Sequence, residues 1–217
     1  MSKSRLESFS DGIFAFAITL LVLTIAQPDD YKNLTHQLAS RWPSLMAYVI
    51  SFVVIGIMWL NHHSLFRHFE HVDRGLIYIN MLLLMTITFL PYPTGVLGQA
   101  LARGEGAQTA AVVYAVTMAV NSWAWSALWL YGSHKRRLLH ESFPEGERAT
   151  ATVMFTIGMV AYTLAVGVAF VNAYAFLVLQ GVFALYYAID PISRRPGRPR
   201  DGGDPAADPS GQQTLSG

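Results

Sequence analysis

The sequence is interrupted repeatedly by apolar runs long enough, at about 1.5 Å per residue, to cross a hydrocarbon core of about 30 Å. Six are read, approximately Ser8 to Ala26, Pro43 to Phe66, Leu76 to Ala100, Ala107 to Gly132, Ala149 to Val171 and Tyr174 to Ala188. Lipid offers no hydrogen-bond partner to a backbone amide, so each run has to satisfy itself as a helix. The expected fold is an all-α membrane protein with six transmembrane helices per subunit, over residues 1–192. Charged residues make up 13% of the chain, about half the roughly 25% of a soluble domain, and mean hydropathy is +0.34. From position 193 the sequence is rich in Pro, Gly and polar residues and cannot bury apolar surface, so residues 193–217 are expected to be a disordered cytoplasmic tail. There is no cysteine, which leaves disulfide and thiol chemistry out of the reading.

Net charge is only +1, but its distribution sets an orientation. With the N-terminus inside, twelve Lys and Arg residues fall on the cytoplasmic side and only Lys32, Arg41 and Arg103 outside. Because cytoplasmic loops collect Lys and Arg, a multi-pass protein of the cell membrane with both termini cytoplasmic is expected. A cleaved leader over residues 1–26 is disfavoured, because Glu7 and Asp11 do not belong in a basic n-region.

Breakers divide the chain. Pro28 and Asp29 stop the first helix, an outer loop runs from Gln27 to Trp42, and Pro91 and Pro93 should kink or end the third span. Spans five and six meet near Val171 to Ala173 and must form a hairpin.

Ionisable residues inside the spans are nearly confined to Asp11, His62 and His63, and such groups pair or serve function. Asp11 lies about one turn inside the first span. The Trp59 to His63 stretch, with Tyr78 and Asn80, returns to similar depth. Two readings of Asp11 stand side by side: half of a Ser8-x-x-Asp11 capping box, or a member of an interior polar network. A metal site combining His62 and His63 with His68 or His71 lacks a supporting motif. A Ser10–His62–Asp11 hydrolase is disfavoured, since adjacent residues on a helix point about 100° apart. Phe16, Leu20, Leu23 and Gln27 form one stripe with Thr19 beside it and Gly12 a turn below, while Asp11 lies about 140° away. Periodicity alone does not say whether that stripe meets lipid or protein.

The segment RLESFSDGIFAFAITLLVL, with WLNHHSLFRH closing the second span and NMLLLMTITFLPYPT in the third, resembles the bacterial homologues of the lysosomal potassium channel called transmembrane protein one-seventy-five. The resemblance covers about residues 5 to 190. It implies a potassium-selective cation channel that lacks a TVGYG filter, a homotetramer whose central pore is lined by the first helices. By position, Phe16, Leu20 and Leu23 would be the apolar constriction and Thr19 the residue tied to cation preference. Arg5, Phe9, Ser10, Asp11, Trp59, His62 and His63 would clamp the first helix to the second and third. The sequence departs from the family in carrying Phe16 where isoleucine or leucine is usual. Expected partners are further copies of the chain and membrane lipid, with potassium as permeant ion, no cofactor, metal, nucleic acid or enzymatic activity. The alternative is a proton pathway or proton-coupled carrier using Asp11 and the histidines.

Overall fold

The computed structural model describes residues 2–25, 27, 33–134 and 137–188. Its order is α1 (Lys3–Leu21), a 3₁₀ turn (Val22–Thr24), α2 (Leu34–Ser40), α3 (Trp42–Arg67), α4 (Arg74–Phe89), α5 (Pro91–Arg103), α6 (Ala107–Ser133), α7 (Glu145–Val171) and α8 (Ala173–Ala188). Five stretches have the length and apolar character to cross a membrane, with α4 and α5 together making one of them. The α8 helix, at 16 residues, is a shorter apolar helix. The stop at Pro28 and Asp29, Lys135 and Arg136, and the tail 193–217 lie outside the described residues.

Helix boundaries follow local chemistry. Helix α1 begins at Lys3, capped by the Ser2 hydroxyl, which accepts from the Arg5 amide at 3.4 Å. Asp11 is therefore about 12 Å into the helix, and the capping-box reading of Ser8 and Asp11 is overturned. At the other end the helix tightens into the 3₁₀ turn before Ile25. The expected outer loop contains α2, and Trp42 and Pro43 open α3, with proline at a position where its missing donor costs nothing.

The third span is divided at Leu90. Pro91 and Pro93 cannot donate, yet Leu90 keeps helical angles, and Thr94 restores contact by bonding the Leu90 carbonyl through both its amide, 3.2 Å, and its hydroxyl, 2.8 Å. The hairpin between α7 and α8 turns on Asn172 alone, whose side-chain oxygen accepts from the amides of Tyr174 and Ala175.

Packing uses small residues and satisfied polar groups, because apolar side chains gain little from leaving hydrocarbon for protein. A Cβ on Gly98 would stand 3.0 Å from the Ser44 Cα, so glycine is what lets α5 and α3 come this close; the Ser44 hydroxyl then bonds the Gly98 carbonyl at 2.9 Å. Ser51 joins Thr94 and Tyr114 in a buried hydroxyl cluster. Helix α6 is tied to α4 by Asn121 donating to Thr86, and to α7 by Trp129 donating to Thr152. The buried Gln180 on α8 is the exception: among the described residues neither end of its amide has a hydrogen-bond partner.

At the end of the bundle where α3 meets α4, residues 68–70 pair with 138–140. Glu70 donates its amide to Leu138 and His140 to His68, while Lys3 donates to the Phe69 carbonyl. Asp73 caps α4 through the Leu76 amide at 2.8 Å, accepts from the Tyr131 hydroxyl at 2.9 Å and pairs with Arg137. Burial acts to raise its carboxyl, but those three donors outweigh it and hold Asp73 below the usual carboxylate range.

Two outcomes are expected. Gln180→Met keeps the shape, removes an unsatisfied amide, and raises thermal stability by about 1–2 kcal/mol; a lowered melting temperature refutes this. The folded-state Asp73 value is depressed, so its stabilisation is present above the ordinary carboxylate value of about 3.9 and fades as pH falls through the folded value. The melting-temperature gap between wild type and Asp73→Asn thus shrinks from pH 6 to 3; a constant gap contradicts it.

Candidate functional site

Helix α1 has two unlike faces. One packs Leu6, Ser10, Phe14, Ala17 and Leu21 into the bundle, all of them buried, and the helix touches α3, α4 and α5. The opposite face carries Phe9, Gly12, Phe16, Thr19 and Leu23, exposed on a 3–4–3–4 spacing. Phe16 is 57% and Leu23 76% exposed.

The buried face holds a continuous polar chain. Ser10 donates its hydroxyl to the Leu6 carbonyl one turn back, 2.9 Å, and accepts from the Asn80 amide of α4 at 3.0 Å. The Asn80 oxygen lies 2.8 Å from Nε2 of His62 on α3, which assigns the proton to that ring nitrogen. Ser10, His62 and Asn80 are all within 1% of complete burial. The His62 ring stacks on Phe66 at 4.4 Å and meets the edges of Phe14 and Trp125. One flank over, the Trp59 indole donates to Asp11 at 2.9 Å, and Asp11 is half-buried. A carboxylate that accepts a strong N–H donor sheds much of the cost of sitting at membrane depth.

The sequence-predicted residues thus separate. Ser10 and His62 meet through Asn80, a residue placed at the right depth by sequence but not assigned to the clamp, and Asp11 and Trp59 form a separate pair beside them. Arg5, Phe9 and His63 are exposed on the protomer and stand outside these bonds, which corrects their assignment to the network; Phe9 and His63 point about 100° away from their clamped neighbours Ser10 and His62. Tyr78, two residues before Asn80, is likewise turned out, 72% exposed. His68 packs against Phe143 and His71 lies beside Glu70, so neither converges with His62.

The stripe is shifted from its expected line. At about 100° per residue, Leu20 lies about 40° from Phe16 toward the packed side, and it is half-buried; Gly12 and Thr19 lie about as far the other way. The bare face is centred on Gly12, Phe16, Thr19 and Leu23. The Thr19 hydroxyl donates to the Phe16 carbonyl at 2.8 Å, so its proton is used internally and its oxygen lone pairs face outward.

Apolar helices of membrane-spanning length, tied inside by polar pairs, define a multi-pass all-α membrane protein. Residues 5–91 match the family model of the endosomal/lysosomal potassium channel TMEM175. The chain is 40% identical over 192 residues to a potassium channel of Streptomyces collinus, covering 88% of this chain and 93% of that one. It is also similar to the crystal structure of a lysosomal potassium-selective channel TMEM175 homolog from Chamaesiphon minutus, with a TM-score of 0.77 and 35% identity over 86% of this chain and 96% of that chain. A 101-residue stretch is 38% identical to the human endosomal/lysosomal proton channel TMEM175, spanning 42% of this chain and 20% of that protein. The chain belongs to the TMEM175 family of ion channels.

Asn80→Leu leaves the buried His62 Nε2 without a partner and removes the donor to Ser10, and is expected to cost about 1–3 kcal/mol of thermal stability in detergent. His63→Ala, on the exposed side, stays within about 0.5 kcal/mol. Equal effects of the two substitutions contradict the assignment.

Proposed function

We propose that the chain is a potassium-selective cation channel of the cell membrane, with both termini cytoplasmic, in which four copies gather their α1 helices around a central pore. The observation that carries this reading is the bare α1 face: large apolar side chains at Phe16 and Leu23 on a helix whose other face is anchored to α3, α4 and α5. One protomer supplies one wall, so closure of a water column requires symmetric copies. The potassium-channel relatives add support.

In this reading Phe16 and Leu23 form apolar rings, with Leu20 at the edge of the lining, and water leaves the constriction when the rings close. Opening means widening until the column rewets. Thr19 then offers four outward hydroxyl oxygens to a partly dehydrated cation. Such a constriction ranks ions chiefly by dehydration cost, which favours potassium over sodium modestly.

A second reading, proton conduction through Asp11 and the histidines, draws on the proton-channel name of the human relative. Asp11 and His62 are engaged with Trp59 and Asn80 away from the bare face, which favours a holding role for both.

Purified protein in liposomes is expected to release potassium down its gradient without a proton gradient. Phe16→Ala and Leu23→Ala should each raise basal leak several-fold, and Thr19→Ala should lower the potassium-to-sodium ratio. Unchanged flux in all three removes α1 from the pore; flux only with a proton gradient favours the second reading.

A further inference from the structure

The bare face of α1 does not end at Phe9. One turn nearer the start of the helix stands Arg5, and Arg5, Phe9, Gly12, Phe16, Thr19 and Leu23 are spaced alternately by four and three residues. At about 100° per residue, Arg5 therefore lies within about 40° of every other residue on that face. Its side chain is exposed, and among the described residues the guanidinium has no hydrogen bond or ion pair; only the backbone amide of Arg5 is engaged, with Ser2. The other charges at this end of the helix point elsewhere. Lys3 and Glu7, each two residues from Arg5, lie about 160° around the helix from it, and Lys3 is spent on the Phe69 carbonyl. Asp11, about 120° away, accepts from Trp59.

A cation here does nothing for the helix itself. The N-terminal end of a helix carries the positive end of its dipole, where a carboxylate stabilises and a guanidinium does not, and the first turn of α1 has no acidic residue. The placement matters once copies of α1 share an axis. Four Arg5 side chains and four helix N-termini then surround one mouth, about 16 Å along the axis from Phe16, and their fields add. Charge of one sign around a narrow, low-dielectric opening is focused into it, so this mouth holds fewer cations than the solution outside.

We propose, on the basis of the pore described above, that Arg5 sets the conductance of the channel: a ring of Arg5 side chains at the cytoplasmic mouth depletes potassium there, holds the current below what the apolar constriction alone allows, and limits outward current more than inward current. Arg5 is a determinant of ion supply to the pore and takes no part in the clamp that positions α1.

The test is single-channel conductance of the full chain in planar bilayers, in potassium chloride at about 20 mM, where the screening length is about 20 Å, and at about 1 M, where it is about 3 Å. Arg5→Gln is expected to raise conductance about two- to fivefold at the lower concentration, to reduce rectification, and to change little at the higher one. Arg5→Lys keeps the charge and should match wild type at both. Because the chain has no cysteine, Arg5→Cys can be recharged in the folded protein, which separates charge from any effect on folding. A cationic methanethiosulfonate reagent applied at one face should return conductance toward wild type, and an anionic reagent of similar size should raise it above that of Arg5→Gln. Conductance that ignores the charge at position 5, or a change of equal size at both salt concentrations, overturns the inference. Phe16→Ala keeps it distinct from the pore itself: a raised leak in Phe16→Ala beside charge-independent conductance at position 5 rejects the Arg5 ring and leaves the pore standing, whereas no effect of either removes both.

Discussion

The arrangement depends on one asparagine. In a bilayer, burying leucine against leucine gains little over burying it against lipid, so helix association rests on close packing and on polar groups with no better partner. Asn80 supplies both halves of its amide to different helices, donating to Ser10 of α1 and bonding His62 of α3. A side chain with only a donor or only an acceptor would tie one helix. Because the His62 ring also stacks on Phe66 and abuts Phe14 and Trp125, the same contact fixes the rotation of α3 against its neighbours. Clamped in this way, α1 presents a defined face on its other side.

How much of this is legible in the sequence depends on the range of the interaction. The first five spans, the break at Pro91 and Pro93, and the tight hairpin at Asn172 are local consequences of apolar length and missing donors, and the structure has each of them, while the sixth expected span is the shorter helix α8. The cap is also local, but Ser8-x-x-Asp11 outcompeted Ser2 as a signal because the apolar run hides a helix that starts among Lys3, Arg5 and Glu7. Asn80 and Tyr78 are two residues apart at one depth, and only the position of a third helix decides that Asn80 is buried and Tyr78 exposed. The same holds for His62 and His63. Adjacent helical residues point about 100° apart, so a doublet that reads as one motif divides between core and surface.

The stripe shows the reverse case, in which the sequence offered too many answers. Almost every face of residues 9–23 is apolar, and counting from Phe16 leads equally well to Leu20 or Thr19. Burial separates them: Leu20 turns toward the packed side, while Thr19 and Gly12 occupy the middle of the bare face. Gly12 one turn before Phe16, and Thr19 between Phe16 and Leu23, leave a face of alternating narrow and wide girth.

That geometry constrains how a pore built from this face would open. Rotating α1 by itself would break the Ser10–Asn80 and Asp11–Trp59 bonds, each in a medium that supplies no replacement partner. Tilting α1 together with α3 and α4 keeps those bonds and changes only how the faces of neighbouring copies meet. The Phe16 ring can also turn about its own side-chain bonds, a movement that leaves the clamp untouched. Widening by rigid-body tilt with local rearrangement of Phe16 is therefore the lower-cost route. The polar clamp then matters to conduction as the part that does not move, since it makes the position of α1 follow that of the whole protomer.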